Sequence, residues 1–187
     1  TNVTPNTVTK LNWDNLTSDG SASGFEGLLS TLDLQVGGSL ELGIDSYVKL
    51  AGTFLISEQT GIAFDDDDTA NNAGASNEFT GDLLSISLSN VHLFVGTGAG
   101  DFTYDVDDAL TGIDLTAAIG FSVNNANVDM AIITDTTNPT VPRSFTAVAA
   151  QIDTVSAVGF DDTFTLNVKQ LNLLLNVGYT DTNVTPN

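Results

Sequence analysis

The chain has 187 residues, no cysteine, and 24 acidic residues against 4 basic ones, a formal charge of −20. The missing cysteine excludes disulfides, thiolate metal sites and cysteine nucleophiles, and the charge balance leaves no basic face for nucleic acid or an anionic lipid surface. The length suits one large all-β domain or two small ones with a substantial core, and no apolar run is long enough to cross a bilayer as a helix.

Of the acids, 20 are Asp and only 4 are Glu. Asp favours turns and Glu favours helices, so the skew points to loops that join strands. The chain opens with TNVTPN at 1–6 and carries TNVTPN again at 182–187. Two ends of one domain pack in different surroundings and have no physical reason to match. The duplication is expected to mark a period, with 1–181 one β-rich repeat unit and 182–187 the start of the next. The joint is then Thr1, Asn2, Val3, Thr4, Pro5 and Asn6, seen again as Thr182, Asn183, Val184, Thr185, Pro186 and Asn187. Its prolines bias the preceding residues to extended conformations and stiffen the connection. Asn2 and Asn15 fit the N-glycosylation pattern, a match that arises easily in a Thr/Asn-rich chain and that Pro5 weakens at Asn2.

TVTKLNW (7–13) is a candidate first strand, with Trp13 its anchor or that of the joint. SGFE (23–26), followed by Leu28, Leu29 and Leu32, reads equally as a short capped helix or an irregular lead-in. From residue 32 the period is two. Segments 32–44, 46–57, 82–96, 112–123, 127–134, 143–152 and 162–179 are apolar, β-branched and bounded by Gly, Asp, Asn or Pro, and are expected to be strands. The tracts 65–78 and 135–142 are loops. Gly37, Gly38, Gly52 and Gly120 inside strands point to bulges or close backbone approach. The expected class is all-β: an antiparallel sandwich or flattened barrel. A β-solenoid is the rival, and it lacks the short rung period it needs. With aromatics at 7%, one Trp and three Tyr, no girdle is visible, which favours a half-buried soluble sheet over an outer-membrane barrel and implies no membrane insertion.

Two acidic clusters offer hard oxygen ligands of the kind Ca²⁺ takes. Asp101, Asp105, Asp107 and Asp108 lie around two aromatics, and along a strand Asp101, Asp105 and Asp107 would share one face. A plain acidic turn is the competing account. Asp65, Asp66, Asp67 and Asp68, with Asn71 and Asn72 nearby, form the second cluster, which fits neither an EF-hand loop nor a calcium nonapeptide and reads equally as a solvated loop. Asp161 and Asp162 make a weaker acidic turn. His92 is the one histidine. No Gly-x-Ser-x-Gly elbow supplies it with a nucleophile, so it is expected to be structural. Acid pairs abound, yet no cleft with aromatic platforms marks a glycosidase. The expectation is no catalysis and no cofactor beyond Ca²⁺.

In order along the chain, TLDLQVGGSLELGIDSYVKLAGTFLIS (31–57), SLSNVHLFVGTGAG (87–100), TGIDLTAAIGFSV (111–123), the stretch 130–168 with DTTNPTVPRSFTAVAAQ, and LLLNVGYTDTNVTP (173–186) resemble the repeat unit of very large bacterial surface or secreted proteins. The individual motifs are soft; their order is more specific. The resemblance covers most of the chain from residue 31. It implies a β-rich building block of an extracellular filament, stalk or surface fibre, with neighbouring copies of itself as partners and no catalytic residues. Two other functions remain open at this level: a calcium-dependent adhesin or carbohydrate-binding module, and a pilus-like subunit that polymerises by lending a terminal strand to its neighbour.

Overall fold

The computed structural model describes residues 10–13, 25, 27–65, 78–137, 142–160 and 164–180. The alternating segments form strands β1 (Leu32–Ile44), β2 (Val48–Asp65), β3 (Glu78–Thr97), β4 (Phe102–Tyr104), β5 (Leu110–Ile113), β6 (Ile119–Asp135), β7 (Arg143–Val158) and β8 (Asn167–Thr180). Six of them make one sheet in the order β1-β2-β3-β6-β7-β8, with every neighbour antiparallel. The remaining two pair with each other as a small hairpin. The sheet is an open meander, not closed into a barrel, and no solenoid rungs are present among the described residues.

The sheet's strands run 13 to 20 residues: β2, β3, β6 and β7 extend beyond the expected segments, β1 matches its segment, and β8 begins later than expected, at Asn167. Segment 112–123 proves to be two elements. Asp114 Oδ1 accepts from the Thr116 N–H at 3.0 Å and hydroxyl at 2.7 Å, and this local turn replaces the ladder between β5 and β6. Segments 119–123 and 127–134 in turn belong to one strand, β6. Before β1 the irregular alternative holds. Leu28 and Leu32 donate to the carbonyls of Phe25 and Leu29, both at 3.1 Å, as isolated turns, and Gly27 at φ 79 cannot continue a helix. Residues 10–13 are not strand; Trp13 instead stacks at 5.4 Å on Phe25 and donates to Leu28 O at 3.0 Å, pinning the lead-in.

Residues opposite one another in a ladder share a face, so the register assigns every side chain. One face is apolar across the whole width: Val36–Ile56–Ile86–Met130–Val148–Leu175 is one row, and Leu42–Leu50–Leu93–Val123–Val155–Val168 is another. The other face is small and largely polar through its middle, as in Gln35–Ser57–Ser85–Ala131–Ala147–Asn176, with larger apolar side chains towards its two ends. There hydroxyls pair across strands, Ser57 with Ser85 at 2.7 Å and Ser122 with Ser156 at 3.0 Å, and the Ser87 hydroxyl donates to Asp129 at 2.6 Å.

At mid-height the period of two slips. The apolar face steps from Leu88 to Val91, Val123 to Ala126, Ile152 to Val155 and Val168 to Leu171, three residues each time. Three of the extra residues, Asn90, Asn125 and Gln170, sit at φ 51, 54 and 55, and Asn125 donates from its amide to Asp153 in the fourth slip. Asn is the non-glycine residue that best tolerates this backbone region. A slip in one strand alone would turn its remaining side chains to the wrong face; four at one height keep both faces intact. Gly52 lies beside this line, and a Cβ there would sit 3.1 Å from the Val91 side chain.

The compact core lies on the polar face, where Phe94, Ala99 and Ala118 are buried together with Ile113, Leu115 and Val158 against them. The β4–β5 hairpin is the second layer there, tied down by the Tyr104 hydroxyl donating to Glu41 and by Lys49 lying 5.6 Å from the Phe102 ring centre. Beneath the Phe94 ring two glycines let β3 and β6 approach: a Cβ on Gly120 would lie 2.4 Å from the Val95 carbonyl oxygen. Gly37 and Gly38, by contrast, stay in regular register opposite Leu55 and Phe54.

Candidate functional site

The largest distinctive surface is the apolar face. Between the row of Val36 and the row of Leu42 it carries no charged side chain, Glu58 appearing only in the next row, beside Leu34. The apolar stretch of β1 runs from Leu34 to Ile44, about 33 Å at about 3.3 Å per residue. Among the described residues nothing is layered over it: Leu40 is 51% exposed and Leu173 58%. Contiguous apolar faces of this extent are rare on solvated monomer surfaces and characteristic of surfaces that contact something else.

The edges are open too. Among the described residues β1 pairs only with β2, and β8 only with β7, so each offers one side of its backbone for a further strand. Edges that avoid pairing are commonly short, charged or bulged. β1 is 13 residues long and carries no Lys, Arg or Pro; β8 is 14 long, with Lys169 and the slip at Gln170 near its start and an uninterrupted run from Leu171 to Thr180.

On the polar face a cleft of about 310 Å³ lies between the hairpin and the sheet, lined by Thr103, Thr111, Ser122, Asn124, Thr154 and Ser156. His92 forms part of its wall at 3% exposure, its Nε2 2.9 Å from Asn90 Oδ1, while the Asn90 amide donates to Leu110 O at 2.8 Å. Burial pushes the imidazole pKa below its ordinary value, against a smaller opposing hydrogen bond with Asn124. His92 is thus a neutral imidazole that buttresses the hairpin.

At the far end of that face sits an ion pair that sequence reasoning did not single out. Asp135 Oδ2 accepts from Arg143 Nε at 2.7 Å and Oδ1 from the Thr137 N–H at 2.8 Å. The guanidinium lies 5.0 Å from the Phe79 ring centre, and Phe79 stacks on Phe64 and Phe145 at 5.3 and 5.4 Å. Burial raises the Asp135 pKa, but the Thr137 N–H and Arg143 outweigh it and the net shift is downward. The signal available was that Arg143 is the chain's one arginine, eight residues after an Asp across a Pro-rich loop.

The acidic cluster at 101–108 is a turn, not one face of a strand. β4 ends at Tyr104, and Asp105 Oδ1 accepts from the N–H groups of Asp107 and Ala109, each at 2.9 Å, with Asp108 at φ 60. Asp101 contributes its carbonyl to the Asp114 N–H at 2.8 Å across the neck of the hairpin. Among the described residues no three His, Cys, Asp or Glu side chains converge as metal ligands. Asp65 is the last residue of β2; Asp66, Asp67 and Asp68, the twelve joint residues, Asn2, Asn15, Asp161 and Asp162 lie outside the described residues.

Comparison with protein-family profiles, with curated proteins and with solved structures finds no match to this chain.

Proposed function

We propose that the chain is a structural repeat, a building block of an extracellular filament, stalk or surface fibre, and that its work is assembly rather than catalysis. One observation carries this reading: the dominant surface is a six-strand-wide apolar face with nothing laid over it among the described residues, while His92, Asp135 and Arg143 are engaged in holding the fold. Such a face is stable in water only when covered, at about 25 cal/mol per Å² of apolar area removed from solvent. The recurring TNVTPN supports further copies of the same unit as the partner. The test is the mass of the denatured polypeptide in its natural source. A chain many times 19.5 kDa supports covalent repetition; a chain of about that mass refutes it.

A second reading places the same face against lipid. It is favoured by the charge-free band from the row of Val36 to the row of Ile44, about 26 Å at about 3.3 Å per residue, which compares with the apolar band of about 25 Å on transmembrane barrels. It requires further strands to close the sheet. Co-flotation of the natural protein with detergent-free lipid vesicles after a carbonate wash supports this reading, and recovery in the aqueous fraction rejects it.

A further inference from the structure

We infer that consecutive copies join edge to edge, β8 of one copy forming an antiparallel ladder with β1 of the next, so that a single sheet runs through the whole array. This rests on the tandem reading above and specifies the joint that reading leaves open. Four observations lead to it.

The first is polarity. With six strands and every neighbour antiparallel, β1 and β8 run in opposite directions, so a following β1 set beside β8 continues the alternation without a break. An odd number of strands would bring two parallel edges together and demand a crossover.

The second is chain path. Residue 180 ends β8 at the same end of the sheet at which Leu32 begins β1, since the ladders place Leu34 and Val177 in one row through Glu58, Leu84, Ile132 and Thr146. By the hexapeptide register, residue 181 followed by residues 1–31 of the next copy makes the connection. It departs and arrives at the same end.

The third is facing. Leu171, Leu173, Leu175 and Val177 of β8 lie on the face that carries Leu34, Val36, Leu40 and Leu42 of β1, so the seam joins apolar to apolar and polar to polar. Extending the rows straight across sets Leu175 opposite Val36 and Asn176 opposite Gln35 of the next copy.

The fourth is supply. The edges match in length at 13 and 14 residues, and among the described residues each has one unpaired backbone side. Within one copy they cannot satisfy one another, for they stand five inter-strand steps apart, about 24 Å at about 4.8 Å per step.

The experiment uses the 187-residue chain and a covalent tandem, 1–181 followed by 1–187, in a protein whose lack of cysteine leaves a clean background. Asn176→Cys in the first copy and Gln35→Cys in the second occupy the polar face at the seam. Under mild oxidation the tandem is expected to form this disulfide nearly completely. Asn176→Cys with Ser39→Cys, same face but out of register, is expected to form almost none. Hydrogen exchange in β1 and β8 at the joint is expected to slow by about tenfold or more relative to the single copy, a change that needs no substitution. Equal cross-linking in both pairs, or no slowing in either strand, overturns the inference even if the natural protein is shown to be tandem. A disulfide within the isolated copy carrying both Asn176→Cys and Gln35→Cys overturns it differently, by showing that the sheet closes on itself. A natural mass of one unit instead removes the tandem reading and leaves the cross-linking result to be judged as association between separate chains.

Discussion

The two faces of the sheet are made by the same strands and obey different rules. On the polar face, stability is local: a hairpin seals Phe94, Ala99 and Ala118 at one end, Arg143 bridges Asp135 and the rings of Phe79 and Phe145 at the other, and paired hydroxyls fill the middle. On the apolar face nothing is local. Its rows run from edge to edge with no cap among the described residues, so its stabilisation has to come from something laid over it. The difference separates two tasks. One face holds the unit together, and the other, on the proposed reading, is where it meets further copies.

Substitutions that act on one face alone break this comparison cleanly. The largest expected effect is on association. The isolated chain should self-associate, and Met130→Asp, which puts a carboxylate in the middle of the apolar face, should weaken that association by more than about tenfold, or about 1.4 kcal/mol. Gln151→Asp, exposed on the opposite face, should leave the sedimentation profile nearly unchanged. Equal effects from both would erase the distinction between faces.

Within the polar face, Phe94→Ala should cost about 3–5 kcal/mol by emptying the hairpin core, read as a lowered midpoint in urea. A midpoint shift of less than a fifth of that would mean the hairpin is not a core at all. At the other end, Asp135→Asn should cost about 1.5–3 kcal/mol by removing the charge from the Arg143 and Thr137 hydrogen bonds. Because the folded carboxyl titrates below its ordinary 3.8, its contribution is complete above that pH and lost on further acidification.

The smallest effect is a titration. The folded pKa of His92 lies below 6.5, so the unfolded chain binds the proton first as pH falls. Stability should be full above about pH 6.5 and decline below it, with the slope abolished by His92→Gln. An identical pH profile in the variant would show that the imidazole titrates alike in both states.

Much of the sheet was legible in the sequence because a half-polar strand writes its face in alternate residues. LDLQVGGSLELGI maps onto β1 from Leu32 to Ile44 without correction. Three things were hidden, each for a physical reason. The break after Ile113 depends on Asp114 bonding to Thr116, which outcompetes an apolar pattern that otherwise reads as strand. The slips at Asn90, Asn125 and Gln170 look like lost periodicity in one strand and become orderly only when neighbouring strands are set side by side. The openness of the apolar face was not legible at all, since alternation states which side is apolar and not what lies against it. Of the candidate site residues, the acids at 101–108 followed turn chemistry instead of strand spacing, and the Asp135–Arg143 pair depends on two strands meeting across a loop.

β1 begins, and β8 ends, at the same end of the sheet but on opposite edges. Tension applied between those two points pulls across the strands, along the direction of the inter-strand hydrogen bonds. Those bonds are then strained one after another from an edge inward rather than all together, as in a zip and unlike a lap joint. A unit held this way yields progressively at low force and releases its strands as slack, hairpin by hairpin, which would give an array of such units compliance where a rigid strut would snap.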